Sequence, residues 1–156
     1  MEVFTQPATA RRNLVVFSPD ERSSGEHTRE IPRILIVEDD YVVGLDLENA
    51  LSDAGFEVVG IAASAAQALR LAGSKRPHLA IMDVHLSGKR DGIDAALEMF
   101  TAHGVRSIFA TAYHDDQTRS RGDKAAPLGW LPKPYQLDTL ISMVKTAIAQ
   151  LQQSRS

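Results

Sequence analysis

Four short apolar runs in this chain each stop at a polar group of a different kind, which sharply limits the folds open to it. Ile34-Leu35-Ile36-Val37 runs into Glu38-Asp39-Asp40, and Leu79-Ala80-Ile81-Met82 stops at Asp83. Ile108-Phe109-Ala110 stops at Thr111, and Trp130-Leu131 is followed by Pro132-Lys133-Pro134. In a parallel α/β sheet the carboxyl ends of neighbouring strands form one rim, so all four groups are expected to converge there.

The segments between these runs carry helical spacing. A helix over about 41–54 places Val43, Leu47, Ala50, Leu51 and Ala54 on one face, with Gly55 just past its end. Glu57–Ile61 reads as a second strand, and Ser64-Ala-Ala-Gln67 has the spacing of a capping box opening a helix to about Ala72. Asp91-Gly92 introduces a helix with Ile93, Ala96, Leu97 and Phe100 in step. The last helix, from about Tyr135, is expected to bury Leu137, Leu140, Ile141, Val144, Ile148 and Leu151. Strands alternating with helices predict a doubly wound, flavodoxin-like α/β fold with a five-stranded parallel sheet in the order 2-1-3-4-5. In that order strand two is an edge, and it alone ends without a functional group, at Ile61-Ala62-Ala63. From His114 to Lys124 no aliphatic residue occurs, so a fourth helix has no apolar stripe to bury and is expected to be short or mobile.

Residues 1–30, rich in Ser, Thr, Arg and Glu, read as a flexible N-terminal extension, and 31–156 as one ordered domain. Seventeen Lys and Arg against 20 Asp and Glu give a net charge of −3, which argues against a nucleic-acid-binding surface. The absence of cysteine excludes disulfides and thiolate chemistry. No apolar run approaches the roughly 20 residues of a membrane span. Leu14–Phe17 is also too short for a signal-peptide core, so a cytoplasmic protein without membrane insertion is expected.

Carboxylates, a hydroxyl and an ammonium on one rim suit phosphoryl transfer assisted by a divalent metal. Asp83, alone at the end of the central strand, is the candidate nucleophile. Mg2+ needs only one or two carboxylates: Asp39 is read as a direct ligand, Glu38 as acting through water, and the His85 backbone carbonyl as completing the shell. Lys133 is read as neutralising one phosphoryl oxygen and Thr111 as donating a hydrogen bond to another. Taken singly, each residue has a plainer role: the acidic cluster as a helix N-cap, Thr111 as a cap, and Lys133 as a solvated turn. Their joint placement carries the chemical reading.

Ile34–Asp40, Met82-Asp83, Phe109-Ala-Thr-Ala112 and Leu131-Pro-Lys-Pro134 together resemble the signature of response-regulator receiver domains, over about residues 31–152. The resemblance implies a sensor histidine kinase as partner, Asp83 as phosphoacceptor, and Mg2+ as cofactor. It also implies self-catalysed phosphotransfer rather than turnover of a separate substrate. Trp130 holds the place of the switch aromatic that is coupled to the hydroxyl of Thr111. Phe109-Ala-Thr is similar to a single-domain subgroup, although Ala112 stands where that subgroup has glycine. Ser87 stands where many relatives carry proline. With no effector region expected after Gln152, the chain reads as a single-domain regulator that signals by protein contact or drains phosphate. Alternatives are a receiver-like interaction module without phosphorylation, and an aspartate-nucleophile phosphatase. The phosphatase reading is disfavoured by His85, at the position where haloacid-dehalogenase enzymes carry a second aspartate. Trp130 and Tyr135, with Met143, lack an evident core role and suggest a face for homodimerisation or kinase contact.

Overall fold

A computed structural model of the protein describes residues 30–112 and 115–155. The N-terminal extension, up to residue 29, and His114 lie outside the described residues. The chain alternates β1 (Arg33–Val37), α1 (Tyr41–Asp53), β2 (Glu57–Ala62), α2 (Ala65–Lys75) and β3 (Leu79–Asp83). It continues with α3 (Gly92–His103), β4 (Arg106–Thr111), α4 (Asp116–Asp123), β5 (Gly129–Pro132) and α5 (Leu137–Ser154). All pairings are parallel, and the sheet runs β2-β1-β3-β4-β5, the doubly wound order anticipated from the sequence.

Burial follows strand position. Every residue of the central β3 is buried, as expected where helices cover both faces, whereas edge strand β2 is only partly buried up to its last residue. Alternate side chains divide between two cores. Leu35, Val37, Ala80, Met82 and Phe109 face one way, against Ala68, Ala72, Ile93, Ala96 and Met99 of α2 and α3. Ile34, Ile36, Leu79, Ile81, Ile108 and Leu131 face the other, against Leu47, Leu51, Leu140, Val144 and Ile148 of α1 and α5. The register sets Val37 beside Met82, Asp83 beside Ala110, and Thr111 beside Pro132. The four strand ends are therefore level, and the groups that follow them share one rim.

Two helix boundaries differ from the sequence pattern. Helix α2 runs three residues beyond Ala72, because Gly73 packs against His103 and a left-handed Arg76 (φ 50°) closes the helix instead. Its Ser64 hydroxyl accepts from Gln67 N–H as expected, but the Gln67 side chain accepts from Ala63 N–H rather than from the cap itself. Helix α5 begins at Leu137, and that residue is 40 % exposed rather than buried, since it occupies the first turn, ahead of the packed stripe that starts at Leu140.

Helix α4 is short, eight residues, and Gly122 is its only buried residue. Polar contacts hold it. Arg121 forms a two-pronged pair with Asp91, the N-cap of α3, at 3.0 and 3.2 Å, and also reaches Asp94 at 3.1 Å. Arg119 lies 4.8 Å over the Trp130 ring. Gly122 allows close docking on that ring, for a Cβ there would stand 2.7 Å from Trp130 Cζ2. Half-exposed ion pairs and a surface cation–π contact contribute about 0.5–1 kcal/mol each. A buried Leu or Val on α5 contributes roughly 1.5–3 kcal/mol, and α5 has several.

Hydrogen exchange should therefore be faster in α4 than in α5, and Arg121→Ala should accelerate α4 further while leaving α5 unchanged. Protection in α4 equal to that in α5, and unaltered by the substitution, would contradict this account.

Candidate functional site

At the β1 end, three consecutive acids divide their work. Asp40 is the N-cap of α1, its Oδ1 accepting from Val42 and Val43 N–H at 3.1 and 3.3 Å. Glu38 and Asp39 instead face Asp83: one carboxylate oxygen from each of the three lies within 4.8 Å of the others. The N-cap reading and the pocket reading thus both hold, on different residues of the cluster.

Glu38 and Asp83 are buried and Asp39 is exposed. Lys133, delivered by the turn after β5, places Nζ 3.3 Å from Asp83 Oδ1 and 3.7 Å from Glu38 Oε1. Backbone donors add to it. Asp40 N–H donates to Glu38 Oε2 at 3.1 Å, and His85 N–H to Asp83 Oδ1 at 3.0 Å. His85 N–H and Lys133 thus engage the same oxygen of Asp83, leaving Oδ2 as the one neither holds. Thr111 is buried at the end of β4, and its carbonyl accepts from Lys133 N–H at 2.9 Å, fixing the turn that carries the lysine. His85 enters the pocket edge through its backbone.

Electrostatics follow from this crowding. Burial pushes the Glu38 carboxyl above its ordinary value, and the Asp83 charge adds to it, against the opposing pull of Asp40 N–H and Lys133. Tyr135 is pushed up to about 12 by burial, with the charges of Glu38 and Asp83 adding to it. At Asp91, partial burial raises the carboxyl, but Arg121 and the N–H groups of Asp94 and Ile93 outweigh it and hold it low. Three carboxylates with one ammonium, which reaches two of them, leave negative charge unbalanced, and all-oxygen donors suit a hard divalent cation, so the residues fit Mg2+.

Trp130 and Tyr135 both have packing roles, and both are only partly buried. Trp130 packs into the α2–α3 core, its ring centroid 4.6 Å from that of Phe109, whereas Tyr135 packs into the α1–α5 core. Met143 also has a packing role, lying against Gly129 in the second core. The sequence pattern overlooks two contributors. Ser87 donates to Asp39 Oδ2 from its N–H at 3.2 Å and from its hydroxyl at 2.8 Å. Gly92 begins α3 so near Asp83 that a Cβ there would overlap the Asp83 carbonyl oxygen, and its N–H donates to Val84 O at 2.8 Å. A glycine at the first helical position, directly after the N-cap Asp91, is the sequence signal of such close approach.

Residues 34–145 match the response regulator receiver domain family. The transcriptional regulatory protein PdtaR of Mycobacterium tuberculosis is 33 % identical over 121 residues, which cover 78 % of this chain and 58 % of PdtaR. The phyllosphere-induced regulator PhyR of Methylorubrum extorquens is 31 % identical over 123 residues, covering 78 % of this chain and 45 % of PhyR. The chain spans about half the length of these curated relatives. The solved signal receiver domain of a modulated diguanylate cyclase from Desulfovibrio desulfuricans is 31 % identical, with a TM-score of 0.74 over 80 % of this chain and 99 % of that one. A CheY-like receiver domain protein from Methanospirillum hungatei shares the fold, with a TM-score of 0.75 at 24 % identity over 80 % and 99 % of the two chains.

Because the folded Glu38 carboxyl is raised, its favourable contribution is complete below the unfolded value and is lost as pH rises through the folded one. Glu38→Gln should therefore raise the melting temperature without divalent metal at pH 8, by roughly 2–5 °C. The gain should vanish below about pH 4.5, where glutamate itself is protonated. A variant that melts no higher than wild type at pH 8 would refute the charge-crowding account.

Proposed function

This chain belongs to the response regulator receiver domain family, and from that premise we propose that Asp83 accepts a phosphoryl group from the phosphohistidine of a sensor histidine kinase. The observation that carries the proposal is the meeting of Glu38, Asp39 and Asp83, with the Lys133 ammonium against Glu38 and Asp83. Asp83 Oδ2 is the attacking atom, since Oδ1 is occupied by Lys133 and His85 N–H. The new O–P bond forms as the P–N bond breaks, and the electron pair of that bond returns to the imidazole nitrogen. Glu38, Asp39 and the His85 carbonyl would hold Mg2+, which supplies the positive charge that lets an anionic donor approach these carboxylates. Lys133 offsets charge on a phosphoryl oxygen, and the Thr111 hydroxyl donates to another. The protein in this reading is a phosphoacceptor with self-catalysed transfer and hydrolysis, not an enzyme with a separate substrate.

Kinase access is open at the pocket rim, where Tyr41 and Val42, directly after Asp40, are 62 % and 67 % exposed. A kinase donor sets the working compartment as the cytoplasm, and no helix among the described residues is long and apolar enough to cross a membrane. We place the output in protein contact by a single-domain regulator. Trp130 is the reporter, because it stacks on Phe109, two residues before Thr111, and carries α4 on its other side.

Acetyl phosphate with Mg2+ should label wild-type protein in an acyl linkage cleaved by hydroxylamine. Asp83→Asn and chelation should each abolish the label, and common phosphate monoesters should not be turned over. Undiminished labelling of Asp83→Asn would sink the acceptor assignment, and rapid monoester turnover would favour a phosphatase.

A further inference from the structure

Each pocket carboxylate is held on one oxygen by a backbone N–H, but the three holds are not alike. Those on Glu38 and Asp83 are local, coming from Asp40 and His85 two positions along the chain, and Lys133 supports both acids. Asp39 is exposed, and among the described residues no cation pairs with it. Its Oδ2 is held by both donors of Ser87, 48 positions away in the loop after β3, while its Oδ1 accepts no hydrogen bond among the described residues.

An exposed aspartate beside two other carboxylates has an evident way to lower its energy: rotate into water. The repulsion that drives it outward is on the order of kcal/mol at these separations. Two hydrogen bonds to a charged acceptor oppose that rotation with comparable strength. We propose that Ser87 is a positioning residue for the metal carboxylate. It keeps Asp39 turned into the pocket with Oδ2 bound and Oδ1 directed to the cation, and so sets magnesium affinity. The same contact pins the loop that follows Asp83 to the end of β1. This rests on the reading of the acidic cluster as a magnesium site, and it assigns the control of that site to a residue that itself binds no metal.

The chemistry of the side chain at 87 dictates the test. Ser87→Thr keeps both donors, Ser87→Ala keeps only the N–H, and Ser87→Pro keeps neither. Magnesium Kd measured by calorimetry on the full chain should be unchanged in the Thr variant and about threefold weaker in the Ala variant. In the Pro variant it should be about tenfold weaker or more, the low end of what removing a partner of a metal ligand costs. Thermal melting without metal identifies a variant that fails to fold, and the Ala–Thr comparison decides the matter without the proline. Equal or tighter magnesium binding by folded Ser87→Ala overturns the positioning role, while Asp83 labelling, measured separately, still stands or falls alone. A wild-type protein that binds no magnesium overturns both this proposal and the metal reading beneath it.

Discussion

The structure turns on a repulsion held in check. Three carboxylate oxygens gathered within 4.8 Å repel one another by on the order of 3–4 kcal/mol per pair at an effective dielectric of about 20. The whole fold of a domain this size is stable by only about 5–15 kcal/mol. The arrangement persists because each acid leaves a strand whose path is set by a buried apolar ladder, so the strands cannot splay to relieve it. Lys133 then spans two of the three charges, and backbone N–H groups fix one oxygen of each. The remaining imbalance leaves the rim with an excess of negative charge on oxygen donors, the environment that suits a small, hard cation.

The two sides of the sheet are secured by different physics. The α1–α5 side is closed by long aliphatic side chains, which hold regardless of ionic conditions. On the other side, α2 and α3 present mainly small residues, and α4 is attached through Arg121, Arg119 and the cleft that Gly122 leaves for Trp130. Exposed ion pairs weaken with salt and aliphatic packing does not, so ionic strength acts on the two sides unequally.

What could be read from sequence alone divides along the same physical line. Strand runs, their order and the gathering of Glu38, Asp39, Asp83 and Lys133 are legible, because apolar run length and strand ends are local properties. Thr111 is legible for the same reason. The division of labour in Glu38-Asp39-Asp40 is not, since three adjacent acids look alike until the turn into α1 assigns one to capping. Trp130 and Tyr135 read as one face because neither has an evident core role in the sequence, but each packs into a core, and the two cores lie on opposite sides of the sheet. Leu137 fits the helical period of α5 yet lies outside the packed length, which periodicity does not report. The Ser87–Asp39 contact joins positions 48 apart, and nothing local to either marks it.

Gly92 has a mechanical meaning beyond its lack of a side chain. Its backbone abuts the Asp83 carbonyl with no room for even a methyl group, and the adjoining Asp91 is gripped by Arg121 of α4. The Asp83 backbone, the start of α3 and α4 are therefore in direct succession. A shift of a few tenths of an ångström in the main chain at Asp83 has no compressible layer in which to dissipate. Any main-chain shift at Asp83 would bear directly on the first turn of α3, and the Asp91–Arg121 pair ties that turn to α4.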